Sequence, residues 1–392
     1  MNLALEVPAL LGNHLKLNAE IFMSTYKILS FCGGGERGLL SVRMLQRLQQ
    51  ENPGFLQSAD MLTGCSTGAI ISGYLALYKK YNGLVTEESV QDALQNLLTL
   101  YVEVMPKAFK HGNRTEAGKP VISGDDMEDF LIEFAKSINQ DLTLKDLEDY
   151  KMSDLKGVFD LMIPAFNIRK TDQVQPGNHL GKVINQSWGM ELFNNYDGSS
   201  TANVNLTEAV AASGAMPGLS ESVNISAGSD SLVEGQFVDG AFVNHDPTMA
   251  AVSMAVSQGQ KLEDISVVCF GTGFMKNYVY DKTDTEKWGS EQWLNLDDDN
   301  ERYKHSNIPA LFANEEHINP ILNMCLNGTS TNEIPTQSSM LLGTRYAYLN
   351  PDLDKYYLGE DVYQPQDIQI LLQYSDKVDL ASANDVISKY WL

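Results

Sequence analysis

The chain has 392 residues, 43% of them hydrophobic, which is enough to bury a large core in one big α/β domain or in one domain with an appended part. Its 28 Lys and Arg residues against 51 Asp and Glu residues give a formal net charge of −23 at pH 7. Because phosphate neutralisation needs clustered cations, this charge argues against a nucleic-acid-binding protein, and it disfavours passive docking on an anionic membrane.

Residues 1–25 are predicted to form an N-terminal extension. They lack a basic segment at the start, and Glu6 interrupts their apolar run, so no signal peptide is predicted. No apolar stretch in the chain approaches the length of a membrane-spanning helix. The cysteines show no C-x-x-C spacing and are expected to be free thiols: Cys32, Cys65, Cys269 and Cys325. These features predict a cytoplasmic protein, while secretion by a signal-independent route stays open.

The first predicted strand, Tyr26–Phe31, leads through Cys32 into the glycine-rich sequence Gly33-Gly34-Gly35-Glu36-Arg37-Gly38 and then into a helix. Glycines leave consecutive backbone N–H groups exposed at the start of a helix, and such donors bind anions. The anion could be a phosphate or the oxyanion of an acyl-transfer intermediate.

A nucleotide-binding protein is the first alternative, because Gly33, Gly35 and Gly38 match the G-x-G-x-x-G spacing of Rossmann-type domains. That fingerprint needs an acidic residue at the end of the second strand, about twenty positions on. Asp60 is near this distance but stands at the start of the next apolar run. From there it could not reach a ribose at the carboxyl end of the strand.

The sequence Gly64-Cys65-Ser66-Thr67-Gly68 lies between an apolar strand and an apolar helix and predicts a nucleophile elbow. In such a turn the serine projects its hydroxyl away from the backbone, and the flanking glycines let neighbouring elements approach closely. The helix that follows directs its free N–H groups and the positive end of its dipole toward the site.

Asp239 follows a short apolar stretch and is succeeded by Gly240 and Ala241. A serine nucleophile needs a base, which Asp239 could supply, although aspartate before glycine is also a common turn residue. The second alternative is a Ser-His-Asp triad in a non-lipid carboxylesterase. In hydrolase chain order His245, His305 and His317 stay open, and His245 is the one nearest to the acid in sequence.

In this order and in these contexts, the glycine turn, the G-x-S-x-G elbow and the D-G-A element resemble the patatin-like phospholipases. Two further stretches agree with the resemblance. Residues 211–217 resemble the family's small-residue segment ending in proline, and Cys269-Phe270-Gly271-Thr272-Gly273 resembles its S-L-G-T-G strand end. The resemblance extends from about Lys27 to Gly273, and Cys32 departs from it, since the family often has aspartate there.

The resemblance implies a serine–aspartate dyad without histidine, with Ser66 as nucleophile and Asp239 as general base. It places the oxyanion hole at the N–H groups of Gly33, Gly34 and Gly35. Arg37 would orient the glycine turn or favour nearby negative charge, its alternative being a solvated first-turn residue. The remaining motif positions are glycines that support the turns: Gly38, Gly64, Gly68 and Gly240.

The resemblance also implies a three-layer α/β/α fold with a mostly parallel central sheet and helices on both faces. The apolar runs fit this fold: strands at 158–166 and 265–270, and helices at 88–102, 123–138 and 248–256. The catalytic core is expected to span residues 26–280, with a C-terminal helical or mixed part at 281–392 packed on it.

The expected substrates are fatty-acyl esters of glycerophospholipids or lysophospholipids, with no cofactor and no metal. The acidic run 297–301 lacks the alternating ligands of a calcium loop and is expected to be a solvated loop. Without a polybasic segment, membrane contact would be transient and made through a local apolar rim, or the enzyme would act on dispersed lysolipids. An activating ligand or protein partner stays open, as does a catalytically silent binding protein of the same fold.

Overall fold

The computed structural model describes residues 26–111, 122, 124–171, 186–226, 233–274, 286–290, 293, 324, 328, 332–353 and 362–392. The predicted N-terminal extension, the acidic run at 297–301, Cys325, His305 and His317 lie outside these residues.

The strands are β1 Tyr26–Phe31, β2 Met61–Gly64, β3 Asp160–Thr171, β4 Gln186–Asn194, β5 Val223–Ile225, β6 Gly235–Val238, β7 Ile265–Phe270 and β8 Tyr346–Leu349. The helices are α1 Gly38–Glu51, α2 Thr67–Asn82, α3 Glu87–Thr99, α4 Met105–His111, α5 Gly124–Ile138, α6 Leu144–Glu148, α7 Leu206–Ser213, α8 Ala241–Asn244, α9 Thr248–Ser257, α10 Ile334–Leu342, α11 Pro365–Lys377 and α12 Ala381–Tyr390. A π-helical segment, Leu100–Val104, joins α3 to α4.

The described strands form one sheet in the order β5-β6-β3-β2-β1-β7-β8, with β4 paired to β3. The strands from β3 through β2, β1 and β7 to β8 run parallel, whereas β4, β5 and β6 add antiparallel pairs at the β3 side. The predicted mostly parallel sheet is therefore confirmed. The predicted C-terminal part contributes β8 to this same sheet.

Helices cover both faces of the sheet, as parallel strands require when both of their faces are apolar. Ile28 of β1 packs with Ala251 of α9 and Leu342 of α10 on one face. Leu29, the next residue of β1, packs on the other face in the cluster that includes α1, α2, α3 and α5. Successive strand residues thus enter opposite cores, giving the three layers expected from the sequence.

The local predictions largely match the observed elements. Strand 265–270 is observed at those bounds, helix 248–256 as α9, and helix 123–138 as α5. The strand predicted at 158–166 begins at Asp160 and continues to Thr171, because its second half pairs with β4 beyond the end of β2. In the described parts of the chain, no helix combines the length and apolar character that crossing a bilayer requires.

Candidate active site

Three turns meet at the carboxyl ends of β2, β1 and β7 because these strands are adjacent and parallel. Phe31 is in register with Gly64 on one side and with Phe270 on the other. The chain therefore leaves all three strands at the same level. This register brings together the G-x-S-x-G turn, the glycine turn and the turn that contains Thr272, at the strand edge where α/β proteins commonly bind ligands.

Ser66 lies in the sharp turn between β2 and α2, with φ 54° and ψ −119°. Among the described residues, Ser66 alone has a positive φ without being glycine. This backbone conformation costs about 1–3 kcal/mol, so the surrounding structure must hold it in place. A Cβ on Gly64 would strike the carbonyl oxygen of Gly68, and one on Gly68 would strike that of Phe31. The two motif glycines are therefore required by close backbone contacts, as a nucleophile elbow requires.

The glycine turn is fixed at Gly33, whose N–H donates to the carbonyl oxygen of His245 at 3.0 Å. Its carbonyl oxygen accepts the Thr272 hydroxyl. The predicted oxyanion hole included the N–H of Gly33, but this donor is already used by the His245 carbonyl oxygen, which lies outside the turn. Gly34 and Gly35 follow with φ of 146° and 55°, values that favour glycine.

The N–H groups of Gly34 and Gly35 have no acceptor among the described residues. Gly35 lines the same pocket as Ser66. A Cβ built on Gly33 would lie 3.4 Å from the Cβ of Ser66, which places the turn directly beside the serine. Two unpaired donors thus remain next to the nucleophile elbow. Gly38 begins α1 where a side chain would strike the Thr67 hydroxyl.

Asp239 is completely buried at the end of β6. Its Oδ1 accepts the N–H of Ala241 at 2.8 Å and lies 3.9 Å from the sulfur of Cys65, the residue before Ser66. A Cβ on Gly240 would strike the carbonyl oxygen of Pro164. The D-G-A turn therefore packs against the elbow, although 173 residues separate the two motif residues Ser66 and Asp239 in sequence.

Ser213, at the end of α7, connects the elbow to the aspartate turn. Its hydroxyl oxygen accepts the N–H of Ser66 at 2.9 Å, and its carbonyl oxygen accepts the N–H of Gly240 at 3.1 Å. The next residues continue the link, since the N–H of Asp239 donates to the carbonyl oxygen of Ala215 at 2.9 Å. The small-residue segment gave the signal for this connection in the sequence, but no role was predicted for Ser213.

His245 is buried beside Gly33, and a Cβ on that glycine would lie 2.8 Å from the imidazole Cδ2. Burial, and then the positive charge of Arg37, lower the pKa of His245 to about 3. Its Nδ1 has no hydrogen-bond partner in the described part of the chain, whereas a triad histidine donates from this atom to a carboxylate. These features do not favour the triad alternative at His245.

Arg37 is 4% exposed and lies in the short 3₁₀ turn Gly35–Arg37 before α1. The alternative of a solvated first-turn residue is therefore wrong. Its guanidinium faces the core close enough to depress the pKa of His245. A buried cation in the glycine turn fits the predicted role in orienting that turn.

An apolar pocket adjoins Ser66. Its volume is about 850 Å³, including the space at its open mouth. Its walls come from four helices through Ile70 of α2, Met105 of α4, Phe130 of α5 and Val210 of α7. None of the described lining residues is charged. Such a pocket suits an apolar chain, and Ser66 and Gly35 provide polar atoms at its wall.

One buried cluster has atoms that metal ions bind: the sulfurs of Cys32 and Cys269, 3.8 Å apart, and a carboxylate oxygen of Asp246. Burial raises the pKa of both thiols, which disfavours the thiolates that a metal requires. Oδ1 of Asp246 accepts the N–H of Thr248 at the start of α9. We interpret the cluster as core packing. Among the described residues, Cys32, Cys65 and Cys269 form no disulfide, as predicted.

Asp60 lies at the opposite end of the sheet from the glycine turn. Its carboxylate accepts the N–H of Lys27 at 2.8 Å, at the beginning of β1 and just before β2. Asp60 therefore lies at the amino ends of the strands, whereas a nucleotide ribose would lie at their carboxyl ends. This placement disfavours the nucleotide-binding alternative.

Comparisons with known proteins agree with the family resemblance of the sequence. Residues 29–252 match the sequence model of the family described as patatin-like phospholipase. CotR of Bacillus subtilis, whose name gives it as a candidate sporulation hydrolase, is 24% identical over 375 residues, which cover 94% of this chain and 99% of that protein. Protein teg of Priestia megaterium is 25% identical over 373 residues, covering 94% of this chain and all of that protein.

Among solved structures, VipD from Legionella pneumophila matches with a TM-score of 0.36 and 12% identity, over 90% of this chain and 67% of that chain. A similarity at this level supports no conclusion about function.

Proposed function

Because this chain belongs to the patatin-like phospholipase family, we propose that it is a lipid acyl hydrolase that cleaves fatty-acyl esters of glycerophospholipids or lysophospholipids through an acyl-Ser66 intermediate. One observation supports this proposal above the others. At the carboxyl edge of the sheet a strained serine elbow adjoins an apolar pocket whose described lining is uncharged, and beside it lie two backbone N–H groups with no acceptor in the described parts of the chain.

In the proposed reaction Asp239 accepts the Ser66 proton while Oγ attacks the ester carbonyl carbon. The carbonyl oxygen becomes an oxyanion that the N–H groups of Gly34 and Gly35 stabilise, each well-aimed donor contributing roughly 3–4 kcal/mol. Collapse of the intermediate expels the alcohol, which takes the proton from Asp239. Water then attacks the acyl-Ser66 ester by the same sequence and releases the fatty acid. The mechanism uses no cofactor and no metal.

The acyl chain would lie in the apolar pocket, whose described lining gives a charged head group no partner. The pocket would therefore hold the fatty-acyl part, and the glycerol and head group would remain at its mouth. This arrangement suits single-chain lysolipids dispersed in water as well as lipids at a membrane surface.

Fluorophosphonate labelling tests the proposal together with fatty-acid release from lysophospholipid and phospholipid micelles. We expect labelling and release in the wild type and neither in Ser66→Ala. Asp239→Asn should lose release to a similar extent, since amide nitrogen cannot take the proton. Ser72→Ala is the matched control, because Ser72 is also buried in the first turns of α2 but lies outside the site.

Two results would contradict the proposal. An unlabelled wild type that releases no fatty acid would favour a catalytically silent protein of the same fold. Labelling that survives in Asp239→Asn and is lost in His245→Gln would mean that histidine is the base, as in the triad alternative.

A further inference from the structure

The Gly33–Gly34 peptide is held by the side chain of Thr272. The Thr272 hydroxyl donates to the carbonyl oxygen of Gly33, and a Cβ on Gly34 would strike the Thr272 side chain. Ser66 lies close to Gly33 and lines the same pocket as Gly35. The glycine turn therefore contacts Thr272 and also lies close to Ser66, and Thr272 is 3% exposed.

In a trans peptide the C=O of one residue and the N–H of the next point in opposite directions. Fixing the Gly33 carbonyl on Thr272 therefore points the Gly34 N–H away from Thr272. Without this hydrogen bond the Gly33–Gly34 peptide could rotate, because glycine on both sides of it restricts rotation little. The hydroxyl thus selects one of the two orientations that this peptide could adopt.

Thr272 is itself rigidly held, since its two neighbours are anchored. The N–H of Gly271 donates to the carbonyl oxygen of Leu349 at 2.8 Å, and the N–H of Gly273 donates to Oδ1 of Asn350 at 2.7 Å. Both acceptors belong to β8 or to the residue after it. The C-terminal strand thereby fixes the residue that orients the glycine turn.

We propose that Thr272 is a positioning residue that aims the Gly34 N–H at the oxyanion formed during acyl transfer. Thr272 touches neither the substrate nor the reacting atoms. The inference rests on the proposed function, because an oxyanion forms only if Ser66 attacks an ester. The turn Gly271-Thr272-Gly273 would then affect the rate of the reaction and not substrate binding.

The test compares Thr272→Val, which keeps the shape of the side chain and removes the donor, with Thr272→Ser, which keeps the donor. With a water-soluble ester, we expect Thr272→Val to lower kcat roughly 10- to 100-fold while KM stays within about threefold, because a misdirected oxyanion donor affects the transition state and not the ground state. Thr272→Ser should retain most of the wild-type kcat. Thr272→Ala provides a second donor-free variant, and circular dichroism monitors folding.

The outcomes separate the inference from the proposed function. A wild-type kcat in Thr272→Val, or equal losses in Thr272→Val and Thr272→Ser, would overturn the inference alone, provided that Ser66→Ala is inactive. A loss expressed only in KM would also overturn it. A wild type with no more ester hydrolysis than Ser66→Ala would overturn both.

Discussion

The hydroxyl oxygen of Ser213 accepts the backbone N–H of Ser66 at 2.9 Å, so the nucleophile's own amide is committed to holding the elbow. This amide therefore contributes structure and not an oxyanion contact. In the proposed mechanism the oxyanion donors are the N–H groups of Gly34 and Gly35, which have no acceptor among the described residues.

Ser213→Ala should lower the free energy of unfolding by about 1–3 kcal/mol, because it leaves the buried N–H of Ser66 without its acceptor. Urea denaturation measures this loss. The same loss is expected in a Ser66→Ala background, since the bond uses the backbone of residue 66. Ser72→Ala is the control: its buried hydroxyl has no partner among the described residues, so little stability should be lost. Equal losses in Ser213→Ala and Ser72→Ala would contradict the assignment.

Enlarging Ile70 to Phe should narrow the pocket next to the elbow. We expect kcat/KM for a palmitoyl ester to fall by roughly tenfold or more, since overpacking of the pocket opposes a long chain. Hydrolysis of an acetyl or butyryl ester should change little. Val256→Phe is the control for added bulk, because Val256 is 44% exposed on α9. A uniform loss across chain lengths would show that the pocket does not hold the acyl chain.

His245 gives a prediction for acid stability, since its pKa is lowered to about 3 by burial and by Arg37. Below the unfolded value of 6.5 the unfolded chain binds a proton at this residue, and the folded chain does not until the pH approaches 3. The free energy of unfolding should therefore decrease as the pH falls through this window. Denaturation of wild type and His245→Gln from pH about 7 to about 4 should show a shallower decrease in the variant.

The pH profile of kcat supplies the corresponding check on catalysis. Because His245 is neutral throughout the neutral range, its replacement should not remove a titration near pH about 6.5. If wild type showed such a titration and His245→Gln lost it, the histidine would be titrating in the active site.

For Glu36 we expect the free energy of unfolding to depend on pH in the opposite direction from that expected for His245. Both of its carboxyl oxygens are buried without a hydrogen-bond partner among the described residues, and burial raises its pKa well above 4.5. Its contribution to stability is present below pH 4.5 and is lost as the pH rises, because the unfolded chain ionises while the folded chain must keep the proton.

Glu36→Met should therefore unfold at higher urea concentration than wild type at neutral pH, with the difference shrinking toward pH about 4. The exposed Glu221→Gln is the matched control for loss of one charge. A difference that is independent of pH would show that Glu36 is not held protonated in the core.

The elbow was predictable because its signal is local: a strand, five residues with two glycines, and a helix. The order of motifs then indicated the family and, with it, the fold. The connecting contacts were not predictable. The Ser66–Ser213 bond spans 147 positions, and the Gly33–Thr272 bond spans 239. No spacing rule covers such distances, since they depend on how the whole sheet is assembled.

The status of Gly33 and Arg37 illustrates the same limit. A glycine-rich sequence predicts available N–H groups, yet only the packing of His245 against the turn determines that the first of them is already used. Arginine in a first helical turn is usually solvated, and its burial here follows from neighbours that are distant in sequence.

The place of β7 in the sheet has a practical consequence for shortened versions of this protein. The family match ends at residue 252, but β7 supplies the partner along the whole length of β1, from Tyr26↔Ile265 to Phe31↔Phe270. A fragment cut at residue 252 would lack this partner and present β1 as an unpaired, mostly hydrophobic edge strand, a template for intermolecular pairing. Such a fragment should aggregate, so expression and proteolysis experiments should keep the chain through β8 and the helices that follow it.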